Sequence, residues 1–128
     1  MEINEITGII IEESIRIHKD MGPGLMEKVY EELLAYRLKK RGLDVKRQQK
    51  IELLYEEVKL DVDLRFDLMI ENKVLVDLKS KETVSPAEYK IFKTYLRLTE
   101  ISIGLVINFN AEYLKDGIKR IANNYSDE

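Results

Sequence analysis

The segment from Val74 to Lys79 constrains the fold of this chain more than any other, because it places an acid and a lysine inside an otherwise apolar strand. Side chains alternate across a strand, so Asp77 and Lys79 point to one face while Val74, Val76 and Leu78 fill the other. Charged side chains rarely enter a buried strand without a partner or an ion. The segment therefore predicts a buried strand that carries a polar site on one face.

A second acid, Asp67, precedes Asp77 by ten residues, which is hairpin distance. Two carboxylates paired across a hairpin repel, and a shared proton, a cationic side chain or a divalent metal resolves the repulsion. Oxygen ligands without His or Cys favour Mg²⁺ or Mn²⁺ over zinc. Such an ion polarises a phosphoryl oxygen, and Lys79 would orient or deprotonate a water or neutralise developing charge. The chemistry indicates metal-assisted phosphodiester hydrolysis; the alternative is a surface ion pair on an edge strand.

The bulk properties fit one globular domain. The chain has 128 residues, 45% of them hydrophobic and 35% charged, so we predict a single domain over residues 1–128 with a flexible tail over residues 123–128. The absence of cysteine excludes disulfides and thiolate metal sites. No apolar run approaches the roughly 20 residues that span a bilayer, which predicts a cytoplasmic protein without a membrane partner.

Charge distribution bears on nucleic-acid binding. The net charge of −3 argues against binding by bulk electrostatics. Residues 37–50 nevertheless hold seven bases against one acid, which indicates a local basic surface or, alternatively, a solvated helix end. Further cations lie just before and along the predicted third helix, where they would track a phosphate backbone or form a plain solvated face. These are Lys81, Lys90, Lys93 and Arg97.

Hydrophobic periodicity predicts the element order ααβββαβα, an α/β sandwich around a mixed sheet. The middle strand is expected to carry Val62, Leu64, Phe66 and Leu68 on one face. Ser85 is a plausible N-cap for the third helix. The predicted helices cover residues 4–20, 26–41, 86–98 and 111–123, and the predicted strands cover residues 44–54, 58–70, 73–79 and 101–108.

Several ordered blocks along the chain carry a resemblance to a known family. They are Gly22–Glu31, Leu43–Ile51, Arg65–Lys79, Thr94–Leu96 and Gly104–Phe109. Together they resemble the small GxxExxR family, which is grouped with the PD-(D/E)XK nuclease superfamily, and the match covers most of the chain.

The resemblance implies a restriction-endonuclease-like three-layer sandwich with a mixed central sheet. It also implies a Mg²⁺- or Mn²⁺-dependent nuclease acting on DNA or RNA. Asp67 and Asp77 would be metal ligands together with the backbone carbonyl of Leu78, Lys79 would be the catalytic lysine, and Glu27 an auxiliary acid. A carboxylate in the first turn of a helix is also stabilising by itself, so Glu27 has a second interpretation.

Two positions depart from the family pattern. The family name leads us to expect Arg where the chain has Tyr30, and related nucleases carry Gln beside the catalytic lysine where the chain has Ile91. An alternative function is therefore a catalytically impaired nuclease-fold module that binds nucleic acid or a protein partner. A homodimer is also expected, since many nucleases pair two sites to act on two strands, but no sequence stripe assigns its interface.

Overall fold

The computed structural model describes residues 1–123, so the predicted tail lies outside the described residues except for Asn123. These residues form three α-helices, seven β-strands and one 3₁₀ turn. The helices are α1 (Ile3–Met21), α2 (Glu27–Lys40) and α3 (Pro86–Thr99), and the 3₁₀ turn is Leu114–Gly117. The strands are β1 (Val45–Arg47), β2 (Leu53–Tyr55), β3 (Val58–Leu60), β4 (Leu68–Ile70), β5 (Val74–Lys79), β6 (Ile103–Asn108) and β7 (Ile118–Ala122).

The central sheet has the strand order β1-β4-β5-β6-β7. Strands β5 and β6 are parallel and are joined through α3, whereas the other neighbouring pairs are antiparallel. The sheet is therefore mixed, as predicted. Strand β5 is its middle strand: β6 pairs with all six of its residues, whereas β4 pairs only with Val74–Val76 and leaves Asp77–Lys79 beyond its end.

Alternation along β5 divides the interior into two cores. Val74, Val76 and Leu78 are buried against α1 and α2. Leu75 faces the other way and packs against Phe92 of α3. Each face of the sheet is thus covered by helices, and the predicted three-layer α/β sandwich is confirmed.

Helix α3 begins where the sequence predicts. The Ser85 hydroxyl accepts from the Glu88 backbone N–H at 3.3 Å, the Glu88 carboxylate accepts from the Ser85 N–H at 2.8 Å, and Pro86 occupies the first turn. This capping box satisfies two of the free N–H groups at the helix start. It also fixes the rotamer of Glu88, which bears on the site described below.

The predicted closing helix over residues 111–123 is wrong. The chain forms the 3₁₀ turn and then β7, which pairs antiparallel with β6 from Ile107↔Ile118 to Ile103↔Ala122. Ile118 packs into the core of α1 and α2, whereas Ile121 packs into the core of α3. Residues three apart lie on opposite faces of a strand, as these two do. The segment forms a strand because the backbone groups along the open edge of β6 need hydrogen-bond partners.

The first two predicted strands, over residues 44–54 and 58–70, are each split in two. Their halves still pair with each other: β1 pairs with β4, and β2 pairs with β3 through a turn at Glu56 and Glu57, both with positive φ. The long antiparallel ribbon breaks at Gln48, which has a φ of 46°, and bends at Asp67. The two predicted strands thus stay side by side as one antiparallel ribbon, but its hydrogen-bonded ladder is interrupted between the β1–β4 pair and the β2–β3 pair.

The bend at Asp67 also corrects the predicted alternation of the middle strand. Phe66 packs into the core on the α3 side, whereas Leu68 packs into the core on the α1 and α2 side. A regular strand would place both on one face. The break turns Asp67 out of the regular pleat, next to the end of β5.

Tyr30, which stands where the family pattern has Arg, is a core residue. Its ring is fully buried and stacks on Phe109 at a centroid distance of 4.2 Å. Its hydroxyl donates to the Gly22 carbonyl at 2.5 Å and accepts from the Leu25 N–H at 3.2 Å. The residue therefore fixes the glycine turn that leads into α2.

We expect Tyr30→Phe to lower the free energy of unfolding by about 1–3 kcal/mol, because it leaves the Gly22 carbonyl and the Leu25 N–H without this partner. Urea denaturation measures the effect. Tyr36→Phe is the matched control, since Tyr36 lies exposed on the same helix. Equal stabilities for the two variants would contradict the assignment.

Candidate active site

Asp77 and Lys79 lie side by side on the α3 face of β5. The Lys79 Nζ is 3.3 Å from the Asp77 Oδ2, and each side chain is only 21% exposed. Because β5 is the central strand of the sheet, the alternative of a surface ion pair on an edge strand is wrong. The pair occupies a largely buried position, where charged groups require compensation.

Asp67 joins this pair from the bend before β4. Its Oδ2 accepts from the backbone N–H of Leu78 at 2.8 Å, so it caps β5 at the point between Asp77 and Lys79. The register of β4 on β5 pairs Leu68 with Val76 and so brings the residue before Leu68 next to the residue after Val76. The hairpin predicted from the sequence therefore brings the two acids together.

Electrostatics single out Asp77. Burial, and next the charge of Asp67 nearby, raise the pKa of Asp77 to about 7, although Lys79 opposes the shift. Burial disfavours the charge of Lys79 as well, but Asp77, Glu27 and Glu88 outweigh it and raise the pKa of Lys79. Lys79 is therefore an ammonium ion at neutral pH, and the two acids beside it carry an excess of negative charge.

The polar partner that α3 supplies to Lys79 is Glu88. Its Oε1 lies 3.6 Å from the Lys79 Nζ and 2.8 Å from the Lys81 Nζ. Lys81 and the Ser85 N–H lower the pKa of Glu88 to about 2. Ile91 lines the cavity of about 180 Å³ next to Asp77 and Lys79, so an apolar side chain stands where related nucleases carry Gln. Glu88, one turn earlier on α3, supplies a polar group to the same cavity.

On the other side of Asp67 lies a network that sequence reasoning missed. The Gln48 Nε2 donates to the Glu31 Oε1 at 2.6 Å and to the Asp67 Oδ1 at 3.2 Å. Glu31 is buried, and its other oxygen accepts from the Arg47 guanidinium at 2.9 Å. One amide thus bridges two carboxylates, and Arg47 neutralises the inner one.

The sequence carried one signal for this network. Glu31 lies on the same stripe of α2 as the buried Ala35 and Leu38, so an acid interrupts an apolar face. An acid in that position needs a buried partner. The local sequence pattern did not predict Gln48 as that partner, because the position of its side chain depends on the break in the ribbon.

Glu27 lies in the first turn of α2 and lines a cavity of about 410 Å³ together with Glu31, Gln48, Asp67 and Leu78. The preceding turn is tied to the end of β5, because the Ser80 hydroxyl donates to the Leu25 carbonyl at 2.5 Å. Gly24 in this turn has a φ of 103°, which favours glycine. Glu27, the predicted auxiliary acid, therefore lies beside the site. Its place in the first turn of α2 also agrees with the other interpretation, a carboxylate that stabilises the start of the helix.

The predicted nucleic-acid contacts fall into two groups. Lys81 lies beside the site and pairs with Glu88. Lys90, Lys93 and Arg97 are exposed and have no ion pair with any residue in 1–123, but they lie on a different face of α3 from the residues that line the cavity. The structure does not bring them to Asp77.

Four of the seven bases in the basic segment over residues 37–50 pair with acids within the fold. Arg37 and Arg41 both pair with the buried Glu13 of α1. Lys50 pairs with Asp61. The paired bases therefore join α1, α2 and the ribbon, whereas Lys39 and Lys40 are exposed in the last turn of α2, as the alternative of a solvated helix end expects. His18, the single histidine, packs against Phe109 and hydrogen-bonds the Ala111 carbonyl.

Sequence comparison agrees with this fold. A family model of the PD-(D/E)XK nuclease superfamily matches residues 4–121, nearly the whole chain. The chain therefore belongs to the PD-(D/E)XK nuclease superfamily, whose nucleases generally use divalent metals. The narrower resemblance to the GxxExxR family stays a prediction. No curated protein and no solved structure matches the chain.

Neither a membrane-spanning helix nor a larger cluster of metal-binding side chains is present in the described part of the chain. None of the helices within residues 1–123 combines the length and the apolar character that crossing a membrane requires. Within the same residues, no group of three or more His, Asp or Glu side chains is arranged to hold a metal ion.

The raised pKa of Asp77 has a consequence for stability. The folded state binds a proton at Asp77 more tightly than the unfolded state does, so this group stabilises the fold at low pH and the contribution is lost as the pH rises toward 7. Asp77→Asn removes the buried charge. Without divalent ions, we expect it to raise the free energy of unfolding near pH 8 by roughly 1–3 kcal/mol, with the difference vanishing near pH 4.

Urea denaturation at the two pH values provides the measurement. Asp44→Asn is the control, because Asp44 is exposed at the opposite end of β1 from Gln48. A stabilisation by Asp77→Asn that is equal at both pH values would contradict the role given to burial and to Asp67.

Proposed function

We propose that this protein is a Mg²⁺-dependent nuclease that hydrolyses phosphodiester bonds in DNA or RNA through Asp67, Asp77 and Lys79. One observation carries the proposal: two carboxyl groups converge at the end of a central strand, and the ammonium of Lys79 lies 3.3 Å from one of them. Such an arrangement costs stability in the resting fold. Perturbed acids of this kind cluster at functional sites.

The donor set fits a hard cation. Asp67 and Asp77 offer carboxylate oxygens beside the backbone of Leu78, and burial together with the nearby charge of Asp67 raises the pKa of Asp77, which disfavours its negative charge until a cation compensates it. Mg²⁺ usually keeps several waters and takes only one or two protein carboxylates, so a pair of acids suffices where no larger cluster exists in residues 1–123. We assign Asp67, Asp77 and the Leu78 carbonyl as its ligands. When bound, the ion would polarise a phosphoryl oxygen and lower the pKa of a coordinated water.

Lys79 supports the reaction as a cation. Because its pKa is raised, it holds its proton at neutral pH, and it would donate hydrogen bonds to a phosphate oxygen and neutralise charge that develops there. Glu88 restricts the ammonium from the α3 side, at 3.6 Å. Glu27 contributes a further negative charge at the mouth of the neighbouring cavity, where it would orient the attacking water.

A second candidate function is a nuclease-fold module that binds nucleic acid or a protein but does not cut. The apolar side chains on the α3 wall of the cavity favour it, since Ile91 and Phe92 leave less hydrogen-bonding capacity around Asp77. The two functions differ in metal binding and in turnover, and both can be measured on the same variants.

A cleavage assay on plasmid DNA and on single-stranded RNA with Mg²⁺ or Mn²⁺ tests the nuclease. We expect Asp77→Asn and Lys79→Ala to lower the cleavage rate by about 100-fold or more, because the first removes a proposed metal ligand and the second removes the cation proposed to neutralise charge on the reacting phosphate. Asp44→Asn should retain the wild-type rate. Equal rates for the wild type and Asp77→Asn would sink the assignment of this site.

Calorimetric titration with Mn²⁺ tests the ligand set and separates the two functions. We expect Gln48→Leu to weaken Mn²⁺ binding by about 10–100-fold, because the amide orients Asp67 without being a ligand. Gln49→Leu is the control, since its neighbouring side chain is exposed and makes no hydrogen bond within residues 1–123. If the wild-type protein fails to bind Mn²⁺ at millimolar concentration, the non-cutting module is the better account.

A further inference from the structure

The cavity of about 180 Å³ that holds Asp77 and Lys79 has two unlike walls. Helix α3 supplies one of them with Ile91, Phe92 and Tyr95, and this wall is apolar apart from one hydroxyl. Apolar surface beside a pair of charged groups weakens their solvation, so the wall disfavours the two charges. Its composition therefore points to an occupant that has an apolar surface of its own.

The α3 wall combines a rigid floor with accessible side chains. Phe92 is buried and packs on β6, where a Cβ at Gly104 would lie 2.5 Å from its ring, so only glycine allows this close approach. Ile91 is 53% exposed. Tyr95 is half-buried, and its hydroxyl makes no hydrogen bond within residues 1–123. An aliphatic side chain, the side of an aromatic ring and a hydroxyl are thus available to an occupant.

The opposite wall is the guanidinium of Arg65, which enters the cavity from the ribbon side. Its Nε pairs with Asp63 at 2.7 Å and its Nη1 donates to the Gln48 carbonyl at 2.9 Å, so two partners hold its edge. A guanidinium whose edge is held still offers its planar face, on which nucleobases stack. The side chain is 47% exposed, which leaves that face accessible.

We propose that this cavity is a subsite for one unpaired nucleobase of the strand whose phosphodiester lies at Asp77 and Lys79. The inference rests on the proposed nuclease function. In a nucleic acid, the groups next to a phosphodiester are a sugar and its base, so a cavity that contains the reacting groups receives one or the other. An apolar wall with a tyrosine ring, facing a guanidinium plane, suits a flat base better than a sugar rich in hydroxyl and ether oxygens.

The volume of the cavity bears on the class of substrate. Clefts that enclose drug-sized molecules have about 300–1,000 Å³, so a cavity of about 180 Å³ admits one base and excludes a base pair. A base in a duplex must first leave the stack, which has a cost in free energy. Single-stranded DNA or RNA is therefore the preferred substrate. Stacking on side chains also needs few phosphate contacts, in keeping with the net charge of −3.

Fluorescence anisotropy with a labelled short oligothymidylate tests the subsite. Asp77→Asn is the background for every variant, so that no strand is cut during the measurement. We expect Tyr95→Ala to weaken binding by about 10-fold, Ile91→Ala to weaken it by roughly 3-fold, and Tyr95→Phe to recover most of the loss, because stacking depends on the ring. Tyr89→Ala is the matched control, since Tyr89 is half-buried on the same helix but lines a different cavity, and it should bind like the background protein.

A strand of abasic nucleotides and a blunt duplex identify the occupant. Tyr95→Ala should have no effect on the abasic strand, because no base contacts the ring, and the duplex should bind more weakly than the single strand. An equal loss on both single strands would assign the cavity to the sugar and overturn the nucleobase subsite. Equal effects of Tyr95→Ala and Tyr89→Ala, or equal affinities for duplex and single strand, would overturn it as well.

The outcomes also separate this subsite from the proposed function. Cleavage by the wild-type protein that Asp77→Asn abolishes, together with no effect of Tyr95→Ala on binding, would leave the nuclease in place and remove the subsite. If none of the three nucleic acids binds to the background protein and the wild type cuts none of them, the subsite and the nuclease are both wrong.

Discussion

The mutual repulsion of Asp67 and Asp77 in a largely buried position is the interaction on which the site depends. Two N–H donors on Asp67, from Leu78 and Gln48, and the ammonium of Lys79 beside Asp77 compensate part of it. Burial of Asp77, together with the part of this repulsion that remains, raises its pKa to about 7. Two acids held close together in a buried position are stabilised by a bound cation. The need for that cation is the physical link between the sheet and the proposed chemistry.

The elements around the two acids are fastened to the end of β5 by specific contacts. Ser80 holds the turn before α2, and Tyr30 fixes the same turn from the core side, which brings Glu27 to the site. Glu88 is held by the cap of α3 and by Lys81. The tyrosine that departs from the family pattern is thus a packing residue that supports the site, and it is no sign that the site has been lost.

The bend at Asp67 links the site to the two-stranded ribbon of β2 and β3. The same interruption that turns Asp67 toward β5 lets the ribbon leave the sheet, and Arg65 at its root borders the cavity next to Asp77. A regular strand through this region would have buried Phe66 and Leu68 on one face and left no position for the acid. The bend is therefore a departure from regular strand geometry at the point where the candidate site needs Asp67.

The sequence by itself determined the three helices to within a residue or two, the strands β5 and β6, and the shared face of Asp77 and Lys79. These features follow from local periodicity and capping, which act over a few residues. Tertiary structure alone decided that residues 118–122 form a strand, because the free edge of β6 takes them as a partner. It also decided that Glu31, Gln48 and Glu88 meet the site, because they come from three separate elements and their distances depend on how the layers pack.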